Sequence, residues 1–258
     1  MKPKRLVRWW LPFTAMVVAT SCGSSSGPVT PSEVTTSEGA AGLLPSGPQA
    51  LADVPFRKIL CFGDSITFGV TLETDAVPPG ASGDLALVEG YVPKLWRRLE
   101  AKYGSGFELV NAGIGGERTT EGVERIRYEL AVHDPDLVLL LEGVVDVNNP
   151  TPRFPVVREN LALMMELVRR DGKQVIIGTY PLLNPEGFRT TGWEHVPRLN
   201  DVIRQEANRL GVVIADHEKS TDVTVQGPDG LHPNNIGYEA LADTWLAAIE
   251  TLATKLGT

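Results

Sequence analysis

Residues 57–67 read RKILCFGDSIT, and this stretch decides both the fold class and the place of the functional site. Its first half is a short apolar run that ends in Gly63, a pattern typical of a buried parallel strand entering a tight turn. Ser65 would then lie at the carboxyl edge of a sheet, where open α/β proteins bind their ligands. The alternative is that Asp64 and Ser65 simply cap a helix, because both residue types favour that position.

Four further apolar runs follow, separated by stretches with helical spacing. The apolar runs lie at residues 107–110, 137–141, 174–179 and 212–214, and the helical stretches at residues 91–102, 120–131, 156–170, 196–210 and 236–256. Continuous apolar strands between helices are typical of a parallel sheet that is covered on both faces. The sequence therefore predicts an α/β protein with three α/β/α layers around a five-stranded parallel sheet.

A second chemical motif lies near the C-terminus, where residues 226–234 read QGPDGLHPN. A serine hydroxyl is a poor nucleophile until a base removes its proton, and the base needs a third group to orient it. Asp229 and His232 are three residues apart in a turn bounded by glycine and proline, so one loop can join a carboxylate to an imidazole. Each motif is a weak signal alone, but together they favour Ser65, His232 and Asp229 as a catalytic set.

These motifs resemble those of the GDSL-type, or SGNH, serine hydrolases, from about residue 57 to the C-terminus. Residues 63–67 (GDSIT) match the first block of that family, residues 229–234 (DGLHPN) match the last, and residues 111–116 (NAGIGG) are similar to the second. The resemblance implies a flavodoxin-like fold and a catalytic cycle without a cofactor. It also implies that the backbone amides of Ser65 and Gly113 hold the oxyanion.

The third block departs from the family pattern. It usually reads Gly-x-Asn-Asp, whereas residues 143–146 read GVVD, so Val145 stands where the family has an oxyanion-hole asparagine. Valine has no donor, and the loss of one such donor typically lowers turnover by about a hundred- to a thousandfold. We hypothesise that Asn148 or Asn149 replaces the donor. The alternative is that both only form a turn before Pro150.

The resemblance indicates a serine esterase that hydrolyses a small-molecule ester of a lipid, a lysophospholipid or an acetylated carbohydrate. Val145 leaves a second interpretation open, in which a weakened or inactive hydrolase fold binds a glycan or a lipid. A third is an acyltransferase that passes the acyl group to a sugar. No metal is expected, because the remaining histidines lack partners at metal-ligand spacing. The sequence does not distinguish between oligomeric states.

The N-terminal residues 1–21 form a predicted targeting segment, with four basic residues followed by an apolar run at residues 9–19 that is short for a membrane span. Small residues then precede Cys22, and residues 19–22 together resemble a bacterial lipobox. The match is imperfect, because position 19 is Ala rather than the usual Leu. We expect a lipid on Cys22 that anchors the protein to a membrane of the bacterial cell envelope, with plain secretion as the alternative. Cys61, inside the first predicted strand, is interpreted as an inert core residue.

Residues 22–54 are rich in Ser, Gly, Pro, Thr and Ala and are predicted to form a flexible tether. The remaining residues 55–258 suffice for one hydrolase domain. The formal charge of the 258-residue chain is −8, and it falls to −12 without the four basic residues of the targeting segment. This acidity argues against a nucleic-acid partner. The insert at residues 71–90 is expected to shape the pocket.

Overall fold

A single parallel sheet organises the chain. The computed structural model describes residues 54–71, 90–189 and 192–257. Its strands are β1 (Lys58–Gly63), β2 (Glu108–Gly113), β3 (Leu137–Leu141), β4 (Gln174–Gly178) and β5 (Val213–Ala215), in the spatial order β2-β1-β3-β4-β5. All neighbouring strands are parallel, so the predicted five-stranded sheet and α/β fold class are confirmed.

Helices follow the strands at the predicted places. They are α1 (Ser65–Phe68), α2 (Tyr91–Tyr103), α3 (Thr119–His133), α4 (Val144–Val147), α5 (Phe154–Arg170), α6 (Val196–Leu210), α7 (His217–Ser220) and α8 (Asn235–Gly257). Helices α2 and α8 pack against each other, while α3, α5 and α6 pack in succession. The two groups form the outer layers of the α/β/α arrangement.

The burial of each strand follows from its position in the sheet. The central strand β3 has the sequence LVLLL and is buried along its whole length. Central strands of a covered parallel sheet meet side chains on both faces, which selects a continuous apolar run. The edge strand β2 is more exposed, and only Ala112 on it is fully buried. The hydrophobic runs in the sequence therefore identify the inner strands more clearly than the edge strand.

Close backbone contacts fix the carboxyl edge of the sheet. Gly63 pairs with Gly113 of β2 on one side and with Leu141 of β3 on the other. A Cβ atom on Gly63 would lie 2.2 Å from the Leu141 carbonyl oxygen, and one on Gly113 would lie 2.1 Å from the Phe68 nitrogen. Only glycine permits both approaches. These contacts bring the first turn of α1, which carries Ser65, directly over the ends of three neighbouring strands.

Several sequence-based expectations lie outside the described residues. They are the targeting segment at residues 1–21, Cys22, the tether up to residue 53 and the insert at residues 72–89. Val54, which the sequence assigned to the tether, is 1% exposed and packs into the core, so the folded part includes it. Among the described helices, none combines the length and apolar character that crossing a membrane requires.

Candidate active site

Ser65 occupies the first position of the short helix α1. The carboxylate of Asp64 accepts a hydrogen bond from the Ile66 amide at 2.9 Å, so Asp64 is the N-cap of this helix. A second hydrogen bond, 2.7 Å long, comes from the Tyr180 hydroxyl to the other carboxylate oxygen. Burial raises the pKa of Asp64 to about 6, although these hydrogen bonds oppose the shift. Asp64 therefore holds the turn that presents Ser65 rather than facing the substrate.

The side chains of Ser65, His232 and Asp229 form a continuous hydrogen-bonded chain. His232 Nε2 lies 2.9 Å from Ser65 Oγ, and His232 Nδ1 lies 2.6 Å from Asp229 Oδ2. Relative exposures are 9% for Ser65, 4% for His232 and 0% for Asp229. The fold thus brings together three residues that the sequence separates by up to 167 positions. Such a chain can move a proton from the hydroxyl to the imidazole.

A tight loop at residues 226–233 holds the side chains of Asp229 and His232 against each other. The segment begins and ends at an antiparallel bridge between Gln226 and Pro233, and the Gly227 amide donates to the His232 carbonyl at 2.7 Å. Within the loop, Asp229 Oδ1 accepts from the amides of Leu231 and His232 at 3.1 and 3.0 Å. The carboxylate therefore has one oxygen fixed by the backbone and the other facing the imidazole.

Arg189 adds a cation to this arrangement that the sequence did not indicate. Its Nε lies 3.2 Å from Asp229 Oδ2, and its amide donates to the Asp229 carbonyl at 3.0 Å. Burial alone would raise the pKa of Asp229, but hydrogen bonds from the His232 ring and from two backbone amides lower it below its ordinary value. Asp229 is consequently held as a carboxylate, the state that orients a neutral imidazole. No motif distinguishes Arg189 from other exposed arginines.

The two backbone amides expected as oxyanion donors, those of Ser65 and Gly113, differ in whether they already have an acceptor. The Gly113 amide, which the resemblance implied as a donor, instead donates to Asn111 Oδ1 at 3.0 Å. Within the described residues, the amides of Ser65, Gly115 and Gly116 donate to no protein acceptor. A Cβ atom on Gly115 would lie 4.0 Å from the Ser65 Cβ, so this loop passes beside the nucleophile. The Gly113 amide, which the resemblance implied as a donor, is thus already hydrogen-bonded, whereas Gly115 and Gly116 are the loop amides without a protein acceptor.

The three residues considered for the side-chain oxyanion donor, Val145, Asn148 and Asn149, lie on α4 or directly after it. Val145 is half-buried there and packs against the core. Asn149 directs its side-chain amide to the Asp146 carbonyl within the same turn. That contact argues against the hypothesis that Asn149 supplies an oxyanion donor. Asn148 ends α4, beside Gly192 of a neighbouring loop.

Glu142 is a buried acid behind the site. Its side chain is fully buried, and neither carboxylate oxygen has a hydrogen-bond partner within the described structure. The nearby cation Arg125 is engaged by Glu117 and Glu129. Burial raises the pKa of Glu142 well above its usual range, and the charges of neighbouring carboxylates including Asp64 add to the shift. Burial therefore favours the neutral acid form of Glu142 over the carboxylate.

The raised pKa of Glu142 predicts a pH-dependent stability. Because the pKa of Glu142 is higher in the folded protein than in the unfolded chain, its contribution to the free energy of unfolding is greatest below the unfolded pKa of about 4.3. This contribution is lost as pH rises from there toward the folded pKa. Each pH unit between the two values costs about 1.4 kcal/mol. We expect Glu142→Gln to unfold at higher denaturant concentration than the wild type at pH 8, with a smaller difference at pH 5. Exposed Glu124→Gln serves as the control, and an equal effect of both substitutions would contradict the assignment.

Asp146 and Asp216, which also follow strands, organise loops. Asp146 accepts from the Thr119 amide at 2.8 Å and from the Thr119 hydroxyl at 2.9 Å, which ties α4 to the start of α3. Asp216 accepts from the Thr179 hydroxyl and pairs with Arg204. Across the described residues, no group of three His, Cys, Asp or Glu side chains is placed to bind a metal ion.

Comparison with known proteins gives a consistent result. A model of the GDSL-like Lipase/Acylhydrolase family matches residues 61–240, a range that contains Ser65, the 114–116 loop, Asp229 and His232. The chain is 26% identical over 239 residues to a multidomain esterase of Ruminococcus flavefaciens, covering 81% of this chain and 30% of that protein. It is 30% identical over 123 residues to an arylesterase of Vibrio mimicus, covering 47% of this chain and 53% of that protein.

The chain spans about half or less of the length of these curated relatives. Among solved structures, the lipase/acylhydrolase from Enterococcus faecalis superposes with a TM-score of 0.63 at 26% identity. That match covers 76% of this chain and 96% of the other. The similarity therefore extends over most of this chain and nearly all of the other.

Proposed function

Because the chain belongs to the GDSL-like lipase/acylhydrolase family, we propose that it is a serine esterase that forms an acyl-enzyme on Ser65. The observation that carries this proposal is the unbroken hydrogen-bonded chain from Ser65 Oγ through His232 to Asp229. All three side chains are buried behind a surface at the carboxyl edge of the sheet. Buried, pre-aligned groups of this kind activate a hydroxyl without a cofactor.

Each step of the reaction has a residue to perform it. Ser65 Oγ attacks the ester carbonyl while His232 Nε2 takes its proton, and the free amides of Ser65, Gly115 and Gly116 receive the negative oxygen. When the tetrahedral intermediate collapses, His232 returns the proton to the departing alcohol. Water then attacks the acyl-enzyme by the same route and releases the carboxylic acid. Asp229 stabilises the imidazolium throughout.

Apolar side chains at the rim of the site support an uncharged acyl group. Phe68 and Ile114 are 46% and 45% exposed. Phe68 ends the helix that begins with Ser65, and the Ile114 amide donates to the Gly63 carbonyl at 2.9 Å, so both lie close to the nucleophile. Exposed apolar residues beside a catalytic group favour contact with an apolar part of the substrate.

Hydrolysis of an aryl ester by the purified protein tests the proposal. We expect saturable release of 4-nitrophenol from 4-nitrophenyl acetate, with an initial burst of about one equivalent per chain if deacylation is the slow step. The second candidate function, a binding protein without turnover, rests on the missing side-chain donor at Val145. A rate equal to that of buffer would favour this second candidate and would remove the esterase proposal.

Restoring the missing donor gives a finer test of the oxyanion argument. We expect Val145→Asn to raise kcat, at most by the roughly hundred- to thousandfold that one such donor contributes, because the family pattern implies that an asparagine at this position donates to the oxyanion. Val145→Ala is the matched control, since it changes the side-chain volume without adding a donor. If both variants behave like the wild type, position 145 does not contact the oxyanion.

A location in the cell envelope remains part of the proposal. The basic and apolar residues before Cys22 support export followed by lipid attachment at that cysteine, with plain secretion as the alternative. We expect radiolabelled palmitate to be incorporated into the wild type expressed in a bacterium and not into Cys22→Ala. Equal labelling of both proteins would exclude Cys22 as the attachment site.

A further inference from the structure

A polar cavity opens at the same edge of the sheet as Ser65. It has a volume of about 520 Å³, and its wall includes Arg118, Asp146, Asn149 and Arg153. This volume lies within the range of about 300–1,000 Å³ that is typical of small-molecule sites. The cavity is thus large enough for a sugar-sized part of a substrate.

The cavity adjoins the proposed reaction centre through two loops. Arg118 lies three residues after Gly115, whose backbone passes beside Ser65. Asp146 follows Val145 on α4, and the Thr119 hydroxyl and amide join it to the loop after β2. The loops that follow β2 and β3 therefore form both the oxyanion region and the wall of the cavity. A substrate held at Ser65 can reach into it.

The two arginines of the cavity, Arg118 and Arg153, have no carboxylate partner in the described chain. Neither Arg118 nor Arg153 forms a side-chain hydrogen bond or a salt bridge in the part of the chain that the structure describes, whereas Arg98, Arg125 and Arg204 each pair with two or more carboxylates. Two exposed guanidinium groups without a carboxylate partner in the described chain therefore lie on the wall of one cavity. An anionic group in the cavity would be attracted by both charges.

The acid in the same cavity does not cancel this charge. Both oxygens of Asp146 already accept hydrogen bonds from Thr119, at 2.8 and 2.9 Å. The cavity wall therefore carries one carboxylate and two guanidinium groups, so its formal charge is positive. Arginine binds carboxylate and phosphate groups through paired hydrogen bonds.

We propose that this cavity is a subsite for a carboxylate or phosphate on the alcohol part of the ester substrate. This inference rests on the proposed esterase function and adds a substrate class to it. The polar lining, with Asn149 and Thr151, suits a hydroxylated alcohol such as a sugar better than an acyl chain. The apolar rim of Phe68 and Ile114 is left for the acyl group.

Three acetylated sugars test the subsite by acetate release: acetylated glucose, acetylated glucuronic acid and acetylated glucose 6-phosphate. We expect kcat/KM to be at least fivefold higher for an anionic ester than for the neutral one, and the difference to shrink with added NaCl. Preference for the glucuronate or for the phosphate distinguishes the two sources of charge. No preference for either would overturn the proposal.

Substitutions assign the preference to the two arginines. Arg118→Gln and Arg153→Gln are each expected to reduce the ratio of anionic to neutral kcat/KM about fivefold, since each removes one charged donor. Arg127→Gln is the control, because Arg127 is an exposed arginine without a salt bridge in the described chain, about 13 Å further along α3. An unchanged ratio in the first two variants, or an equal change in the control, would overturn the proposal.

The outcomes also separate the subsite from the esterase function. Cleavage of acetylated glucose that needs Ser65, without any charge preference, refutes only the subsite. The absence of Ser65-dependent cleavage for all three sugars and for 4-nitrophenyl acetate refutes the esterase. As an independent readout, glucuronate is expected to inhibit hydrolysis of 4-nitrophenyl acetate more strongly than glucose does, and this difference is expected to fall in Arg118→Gln.

Discussion

Replacing Ser65 with alanine is expected to lower kcat for 4-nitrophenyl acetate by about 10⁵- to 10⁶-fold, as removal of the nucleophile does in other serine hydrolases. The substitution removes only the hydroxyl whose oxygen lies 2.9 Å from His232 Nε2. No other side chain in the described site combines a hydroxyl with contact to this imidazole, so no neighbouring group takes over the attack. The residual rate then reflects the oxyanion donors and substrate binding alone.

The Ser65→Ala variant is expected to remain folded. Ser65 is small, and the cap of its helix is the Asp64 side chain, which the substitution leaves in place. The free energy of unfolding is expected to change by no more than about 1 kcal/mol, the contribution of one hydrogen bond. Ester hydrolysis that survives in a folded Ser65→Ala protein would mean that another residue is the nucleophile.

Replacing Asp229 with asparagine is expected to lower kcat by about 10³- to 10⁴-fold. The Asp229 carboxylate accepts hydrogen bonds from the His232 ring and from two backbone amides, and it forms an ion pair with Arg189. A carboxamide has only one accepting oxygen, which the amides of Leu231 and His232 already occupy. Its NH₂ group would then face the imidazole and favour the tautomer that cannot accept a proton from Ser65.

The pH profile separates this effect from simple misfolding. Loss of the carboxylate charge removes the group that stabilises the imidazolium, so the rate of Asp229→Asn is expected to rise at high pH, where hydroxide assists proton removal from Ser65. Arg189→Gln is the companion variant, because it removes the cation and keeps the carboxylate. A wild-type rate in folded Asp229→Asn would show that Asp229 does not orient His232.

Strand positions could be predicted from the sequence because buried parallel strands need continuous apolar runs. The run that ends at Gly63 and the LVLLL run at residues 137–141 became β1 and β3. The pairing of Ser65 with His232 was also within reach, because a serine nucleophile needs a base with an orienting partner, and Asp229 and His232 lie three residues apart in one turn. A contact between residues far apart in the sequence can therefore be predicted when a catalytic mechanism requires their side chains to meet.

Other features of the site were not predicted from the sequence. The Gly113 amide is occupied because Asn111 folds its side chain back onto it, and this leaves Gly115 and Gly116 as the open donors. Alternation of glycines in residues 113–116 could have suggested all three. Arg189 and Glu142 were not predicted, because a single arginine in a loop and a single glutamate at a strand end have no distinguishing spacing.

Covalent labelling with a 4-nitrophenyl phosphonate, followed by mass spectrometry of the digested protein, tests the central claim most directly. The reagent is attacked only by an activated nucleophile and remains attached to it. We predict one adduct per chain, on the peptide that contains Ser65, with no adduct in Ser65→Ala and much slower labelling in His232→Ala. An adduct on another residue, or labelling at the same rate without His232, would contradict the assignment of Ser65, His232 and Asp229 as the catalytic set.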